Sequence, residues 1–165
     1  NKMLFHVNSE ADAGLSIDQN NIVQMTMQPA FSVRPSSNIL NIGLDQSVVI
    51  TFGSEIFDQN ADFASNTFTA PVTGRYQLNA LVYLEDIPHQ AGRLQAHLVT
   101  SNRGYYHATM PQSGGDNTYH SLSFGVLADM DASDTAYLQV YVNSGSSSTQ
   151  IDINSVTTFS GYLAC

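Results

Sequence analysis

Apolar and polar positions alternate with a two-residue period through much of this chain, most plainly along Tyr76, Leu78, Ala80, Val82 and Leu84. That period is the pleat of a β-strand, whose successive side chains point to opposite faces. On the intervening positions Gln77 and Asn79 are polar, but Leu81 and Tyr83 are not. A strand with one wet face keeps alternating, so the far half of this one is expected to be covered. Upstream, Phe68 and Ala70 hold period 2, Pro71 removes a ladder donor, and Thr73-Gly74 supplies a turn. The same reading predicts strands at Ala30–Val33, Ile39–Ile42, Ser47–Phe52, Thr67–Ala70, Tyr76–Leu84, Leu94–Thr100, Tyr105–Met110, Tyr119–Leu127, Ala136–Val142 and Thr157–Leu163. No segment sustains a 3.6-residue period. Short strands broken by Gly, Pro and Asn predict an all-β fold, a sandwich or jelly roll.

Residues 1–28 differ in character. Leu15-Ser-Ile17 and Ile22-Val-Gln-Met25 read as two short strands joined by the turn-forming Asp18-Gln-Asn-Asn21. A hairpin of this size is marginal alone in water and needs a neighbour. We therefore divide the chain into a stalk-connecting segment, 1–28, and a head domain, 29–165. If the strand from Tyr76 runs away from the stalk and the later strands alternate in direction, the loops Asp86–Ala91, Pro111–Asn117 and Asn143–Ser155 share the distal end. The turns Asn102–Gly104 and Asp131–Asp134 then share the end with both termini. Loops at one pole of a rigid β scaffold are where binding usually sits. The candidate ligand-binding residues are accordingly His89, Gln90, Gln112, Asp116, Asn117, Ser146 and Ser147.

Composition narrows the partner. The net charge is −9, with 5 Lys and Arg against 14 Asp and Glu. A nucleic-acid partner is excluded, because that binding rests on cations neutralising phosphates; anionic membranes are disfavoured likewise, and no apolar run approaches the ~20 residues of a membrane helix. Cys165 is alone, so packing and not an intrachain disulfide holds the fold. The polar surface is rich in hydroxyls and amides, groups that suit sugar hydroxyls as well as solubility.

Catalytic patterns are missing. The histidines are His6, His89, His97, His107 and His120, none in a zinc-type spacing, and no Gly-x-Ser-x-Gly elbow occurs. Asp129-Met-Asp131-Ala-Ser-Asp134 imitates the opening of a calcium loop but has Asp134 where Gly is needed and Val140 where Glu is needed. A hairpin turn explains it better. We expect no catalytic residues and no resident metal. Tyr83, Tyr137, Tyr141 and Tyr162 all face away from the predicted core, where a tyrosine row can stack on sugars or bury against another subunit.

Phe52, Asp58, Phe63, Phe68, Gly74 and Tyr76 resemble the signature of the complement component 1q globular-head family, relatives of the tumour-necrosis-factor fold. Pro29-Ala-Phe-Ser32 is similar to that family's first strand, Leu127–Tyr137 to its late hairpin, and Phe159-Ser-Gly-Tyr-Leu163 to its last strand. The likeness spans about residues 29–165. It implies a ten-stranded antiparallel jelly roll assembled as a homotrimer, with Leu81, Tyr83 and Tyr162 at the subunit interface. Family members can carry calcium near the trimer apex, which would fall to Asp86 and Asp116 here. The segment leading into the head resembles the stalk-to-head link of phage tail-fibre tips. The resemblance thus implies a trimeric receptor-binding head of a viral (phage) tail fibre, located on the virion or extracellular, that engages a host cell-surface glycan or protein. A structural or fibre-capping trimer and a secreted lectin-like bacterial protein are the alternatives.

Overall fold

A computed structural model of the chain describes residues 3–5 (as backbone), 14–111, 115–143 and 150–165. The N-terminal segment is a small antiparallel sheet in the order β1 (Met3–Phe5), β2 (Leu15–Ile17), β3 (Val23–Gln24). It matches the expected hairpin with one strand added, and the turn closes on Asp18, whose carboxylate accepts the amides of Asn20 and Ile22.

Two antiparallel sheets form the head. One is built around the long β10 (Gly74–Ile87), which pairs along its whole length with β13 (Asn117–Met130). Its other edge takes β16 (Thr158–Leu163) and then β15 (Ile151–Ile153). Outward from these lie β4 (Ala30–Arg34), β7 (Ser54–Asp58) and β5 (Ile39–Ile42). The second sheet runs β12 (Gly104–Thr109), β11 (Arg93–Thr100), β14 (Thr135–Asn143), β9 (Thr67–Thr69), β8 (Phe63–Ala64), with β6 (Ser47–Val49) also on β14. No helix occurs among the described residues, so none is long and apolar enough to cross a membrane.

The ten expected strands are present, and three short ones join them: β7, β8 and β15. None of the three could be read from alternation. β8 has two residues. β7 is an edge strand whose pairing with β4 slips by one residue between Ser32 and Val33, so its Ile56 and Phe57 are both exposed. β15 was expected to be loop within Asn143–Ser155; Ile151 and Ile153 are fully buried there and pair with Ile42 and Ile39.

Between the sheets lies one apolar core, and the predicted inward face of β10 is in it: Tyr76, Leu78, Ala80, Val82 and Leu84 are all buried. Leu94, Ala96 and Leu98 of β11 and Leu138, Val140 and Val142 of β14 face them. At the end near the termini the core becomes aromatic. Phe31 stacks on Phe63 and Phe68, with ring centroids 5.2 and 4.7 Å away, and meets Phe159 edge-on at 5.0 Å.

The quoted signature residues converge on this corner. Phe52 packs edge-on against Phe63, and Tyr76 lies beside Phe68 while its hydroxyl donates to Val72 O at 2.7 Å. Asp58 holds the turn after β7 by accepting the amides of Asp62 at 3.1 Å and Phe63 at 2.9 Å. At Gly74 a Cβ would stand 2.6 Å from Leu163 Cδ1 and 2.8 Å from Cys165 O, so the close approach of the last strand requires glycine. Burial beside Asp62 has a cost: its Oδ2 has no partner, and desolvation, aided by the Asp58 charge, raises its pKa.

Candidate functional site

The strand directions gather the loops as expected. β10 and β14 run toward one end and β11 and β13 return from it, so the last residues of β10, β12 and β14 and the first of β11, β13 and β15 share a pole. At the opposite pole Asn102 donates to Asp129 O and Asp134 Oδ2, and Arg75 N donates to Cys165 O. A further loop, not anticipated, reaches the distal pole: Gly43–Gln46, between β5 and β6. Asn143 Nδ2 donates to Asp45 Oδ1 at 2.9 Å, and Asp45 N to Val142 O at 2.8 Å. The direction of β5, which carries the chain to this pole, is set by its antiparallel pairing with β15, a strand too short to show in the sequence pattern.

His89 and Asp116 meet across this pole. The Asp116 Oδ1 accepts the His89 backbone N–H at 2.9 Å and lies 2.8 Å from His89 Nδ1, tying the β10–β11 loop to the β12–β13 loop. The backbone hydrogen bond first, then the imidazole, holds the Asp116 carboxyl below the usual carboxylate range. Both side chains are exposed, as is Gln90. Asn117 opens β13 opposite Ile87, while its side chain lies outside what is described. Gln112, Ser146 and Ser147 lie outside the described residues. Asp86 is exposed in the left-handed region at φ 57, where the β10–β13 register skips it. Among the described residues no group of three or more His, Cys, Asp or Glu side chains could hold a metal ion.

The outward face of the β10 sheet is the second candidate surface. Leu81 and Tyr83 are half-buried and Tyr162 is 49% exposed. Tyr83 packs against Tyr119 at 5.7 Å between ring centroids. The middle of this face is uncharged: Gln77 and Asn79 on β10, Ser121, Ser123 and Gly125 on β13, Thr158 and Ser160 on β16. Solvent-facing sheets ordinarily carry charged side chains, and charge is depleted where surfaces meet. Leu127, Tyr119 and Phe57 also stand exposed here and were not singled out from sequence. Leu127 has the opposite parity to Leu122, Phe124 and Val126, so β13 is apolar on both faces at that level; that was the available signal.

His97 and His107 both make contacts within the sandwich. His97 stacks on Tyr106 at 3.8 Å, has Gln139 Nε2 2.7 Å from its Nδ1, and keeps Nε2 buried without a partner; burial lowers its pKa. His107 Nδ1 bridges to Ser123 O at 3.0 Å across the sandwich edge. Tyr137 and Tyr141 lie on the outward face of the other sheet, where Arg93 sits 5.2 Å from the Tyr141 ring centre.

The family model of the C1q domain matches residues 30–164. Among solved structures, the globular domain of the zebrafish complement 1qA protein is similar at 20% identity with a TM-score of 0.61, covering 84% of this chain and 98% of that one. Murine APRIL at pH 8.5 is similar at 10% identity and a TM-score of 0.56, covering 82% of this chain and 98% of that one. At such identities the likeness carries the fold, a jelly roll of this type. No curated protein sequence matches the chain.

Proposed function

This chain belongs to the C1q domain family, and on that premise we propose that it is a non-catalytic binding head, a homotrimer at the tip of a phage tail fibre. Its distal loops would engage a glycan or protein on the host cell surface. The observation that carries the reading is the division of labour over one rigid sandwich. One pole collects exposed polar loops tied by His89 and Asp116, while an uncharged sheet face lies along the flank. The flank suits a sister subunit, and three copies would multiply the distal loops, so that weak contacts gain avidity from simultaneous engagement. Hydroxyl and amide donors at the pole suit sugar hydroxyls. The tail-fibre setting, on a virion or otherwise outside the cell, rests on the stalk-like segment 1–28.

Glycan-array binding by the full chain, with and without a chelator, tests it. Substituting Gln90 or Asn117 should abolish the signal, and loss on chelation would bring in calcium at Asp86 and Asp116. Unchanged binding across both variants would refute the distal-loop reading.

A second reading, a trimer whose task is to fold and cap a fibre stalk, is favoured by how firmly the entering chain is held. Gln59 Nε2 reaches the carbonyls of Met25, Thr26 and Gln28 at 3.0, 3.0 and 2.7 Å, and Asn60 Nδ2 reaches Met27 O at 2.9 Å. This reading predicts no ligand on any array.

A further inference from the structure

The outward face of the second sheet carries a layered aromatic stack at its β12 edge. His97 Nε2 lies 2.3 Å from where a Cβ of residue 104 would stand, so Gly104 makes room for the imidazole. Gln139 Nε2, 2.7 Å from His97 Nδ1, holds the ring from the β14 side. Tyr106 lies over it, with centroids 3.8 Å apart and planes 21° from parallel. One face of the Tyr106 ring is thus covered, yet the residue is 61% exposed. What it shows to solvent includes the other face, a flat aromatic surface fixed from beneath.

Arg93 ends the same face toward the distal pole. It is exposed, its guanidinium carbon sits 5.2 Å from the Tyr141 ring centre, and no carboxylate pairs with it among the described residues. Gln95 lies between Arg93 and His97, with Tyr141 beside it on β14. Residues 93, 95 and 97 share one side of β11, so the cation and the aromatic stack are about 14 Å apart, a span of several sugar rings. None of the outward positions of β11, nor those opposite them on β12 and β14, is Asp or Glu. Asp45, in the loop beyond the distal end, accepts from Asn143 Nδ2.

The chemistry of these groups selects the ligand. At a net charge of −9 the surface as a whole repels anions, so an unpaired cation on a carboxylate-free face is where one can approach. The planar guanidinium matches a carboxylate. The open Tyr106 face suits the C–H face of a pyranose, whose hydrogens meet the electron-rich ring, and the Gln95 amide suits sugar hydroxyls. An acidic peptide fits less well, because β11 is paired on both sides and offers no free backbone groups to an extended chain.

We propose that this flank binds an acidic oligosaccharide, stacking one sugar ring on Tyr106 and pairing the carboxylate of another with Arg93. The inference goes beyond the distal-loop reading and depends neither on those loops nor on the number of subunits.

The test is calorimetric titration of the full chain with short oligomers of galacturonate, guluronate and hyaluronan. At least one is expected to bind, more weakly as salt rises. Its methyl ester, alike in its rings but uncharged, should bind about fivefold or more weakly. Arg93→Gln should lose the same factor for the acid and nothing for the ester. Tyr106→Ala should weaken both, and Tyr106→Phe, which keeps the ring, neither. Gln90→Ala at the distal pole should change none of this. No binding of any of the three at millimolar concentration, or an Arg93→Gln variant that binds the acid like wild type, overturns the inference. Binding lost in Gln90→Ala alone overturns it too, while supporting the distal-loop reading. A polyglutamate peptide of equal charge that binds as tightly overturns the assignment to a sugar.

Discussion

Replacing Phe31 by Ala removes the ring at the centre of the aromatic corner. Phe31 is 1% exposed, stacks on Phe63 and Phe68, and meets Phe159 edge-on. Those partners come from β8, β9 and β16, so the ring joins the two sheets to each other and to the last strand. No single neighbour can collapse into the space, and a buried Phe→Ala change of this kind costs about 3–5 kcal/mol. Against the roughly 5–15 kcal/mol that holds a domain folded, that is about a fifth or more. For a chain of this length it lowers the melting temperature by about 6–20 °C. Phe57→Ala is the control. Phe57 stands on the adjoining β7 but is 51% exposed, so its loss should cost the protomer about 1 kcal/mol or less. Urea melts followed by circular dichroism would measure both, at one protein concentration because assembly adds to apparent stability. A loss below about 1.5 kcal/mol for Phe31→Ala, or one no larger than for Phe57→Ala, would refute the claim that this corner knits the sandwich together.

Gly161→Ala should destabilise by overpacking, about 1–3 kcal/mol, since a Cβ there would lie 2.6 Å from Leu78 Cδ2 and 2.8 Å from Phe31 Cε1; a neutral melt would show that the last strand sits more loosely. Asp116→Ala should speed hydrogen exchange at the His89 amide while global melting stays put, and unaltered exchange would disprove the tie between the two loops. Because Asp116 has a depressed pKa, the tie is present above about pH 4 and is lost as pH falls through the lower folded value. Burial likewise depresses His97, so the native state resists a proton that the unfolded chain accepts near pH 6.5. The wild type should therefore lose stability relative to His97→Gln as pH drops from 7.5 to 5.5, and a difference that ignores pH would contradict the burial of that ring.

The two-residue period along Tyr76 to Leu84 and Ala136 to Val142 was enough to choose the buried face of each long strand, because a one-residue slip would turn the whole apolar set outward. It also ordered the loops, since strands joined by short turns must reverse direction. The signature aromatics were legible as a set, yet their meeting in one corner was not: Phe31 and Phe159 are far apart in the chain and come together only when β4 pairs with β16. Short strands escaped for a related reason. β8 and β15 carry too few residues to show a period, β7 loses its period at the register slip against β4, and pairing partners supplied from distant sequence hold all three in place.

What the chain determines by itself is a set of half-apolar ribbons and the polar turns between them, since pleating and turn chemistry act over a few residues. Which edges join, how the β5–β6 loop reaches the distal pole, and where His89 finds Asp116 were decided only in three dimensions, where hydrogen-bond ladders between remote segments fix neighbours that no local pattern encodes. The uncharged flank lies between these limits: its residues can be counted along the sequence, but they become one surface only after β13, β10, β16 and β4 lie side by side.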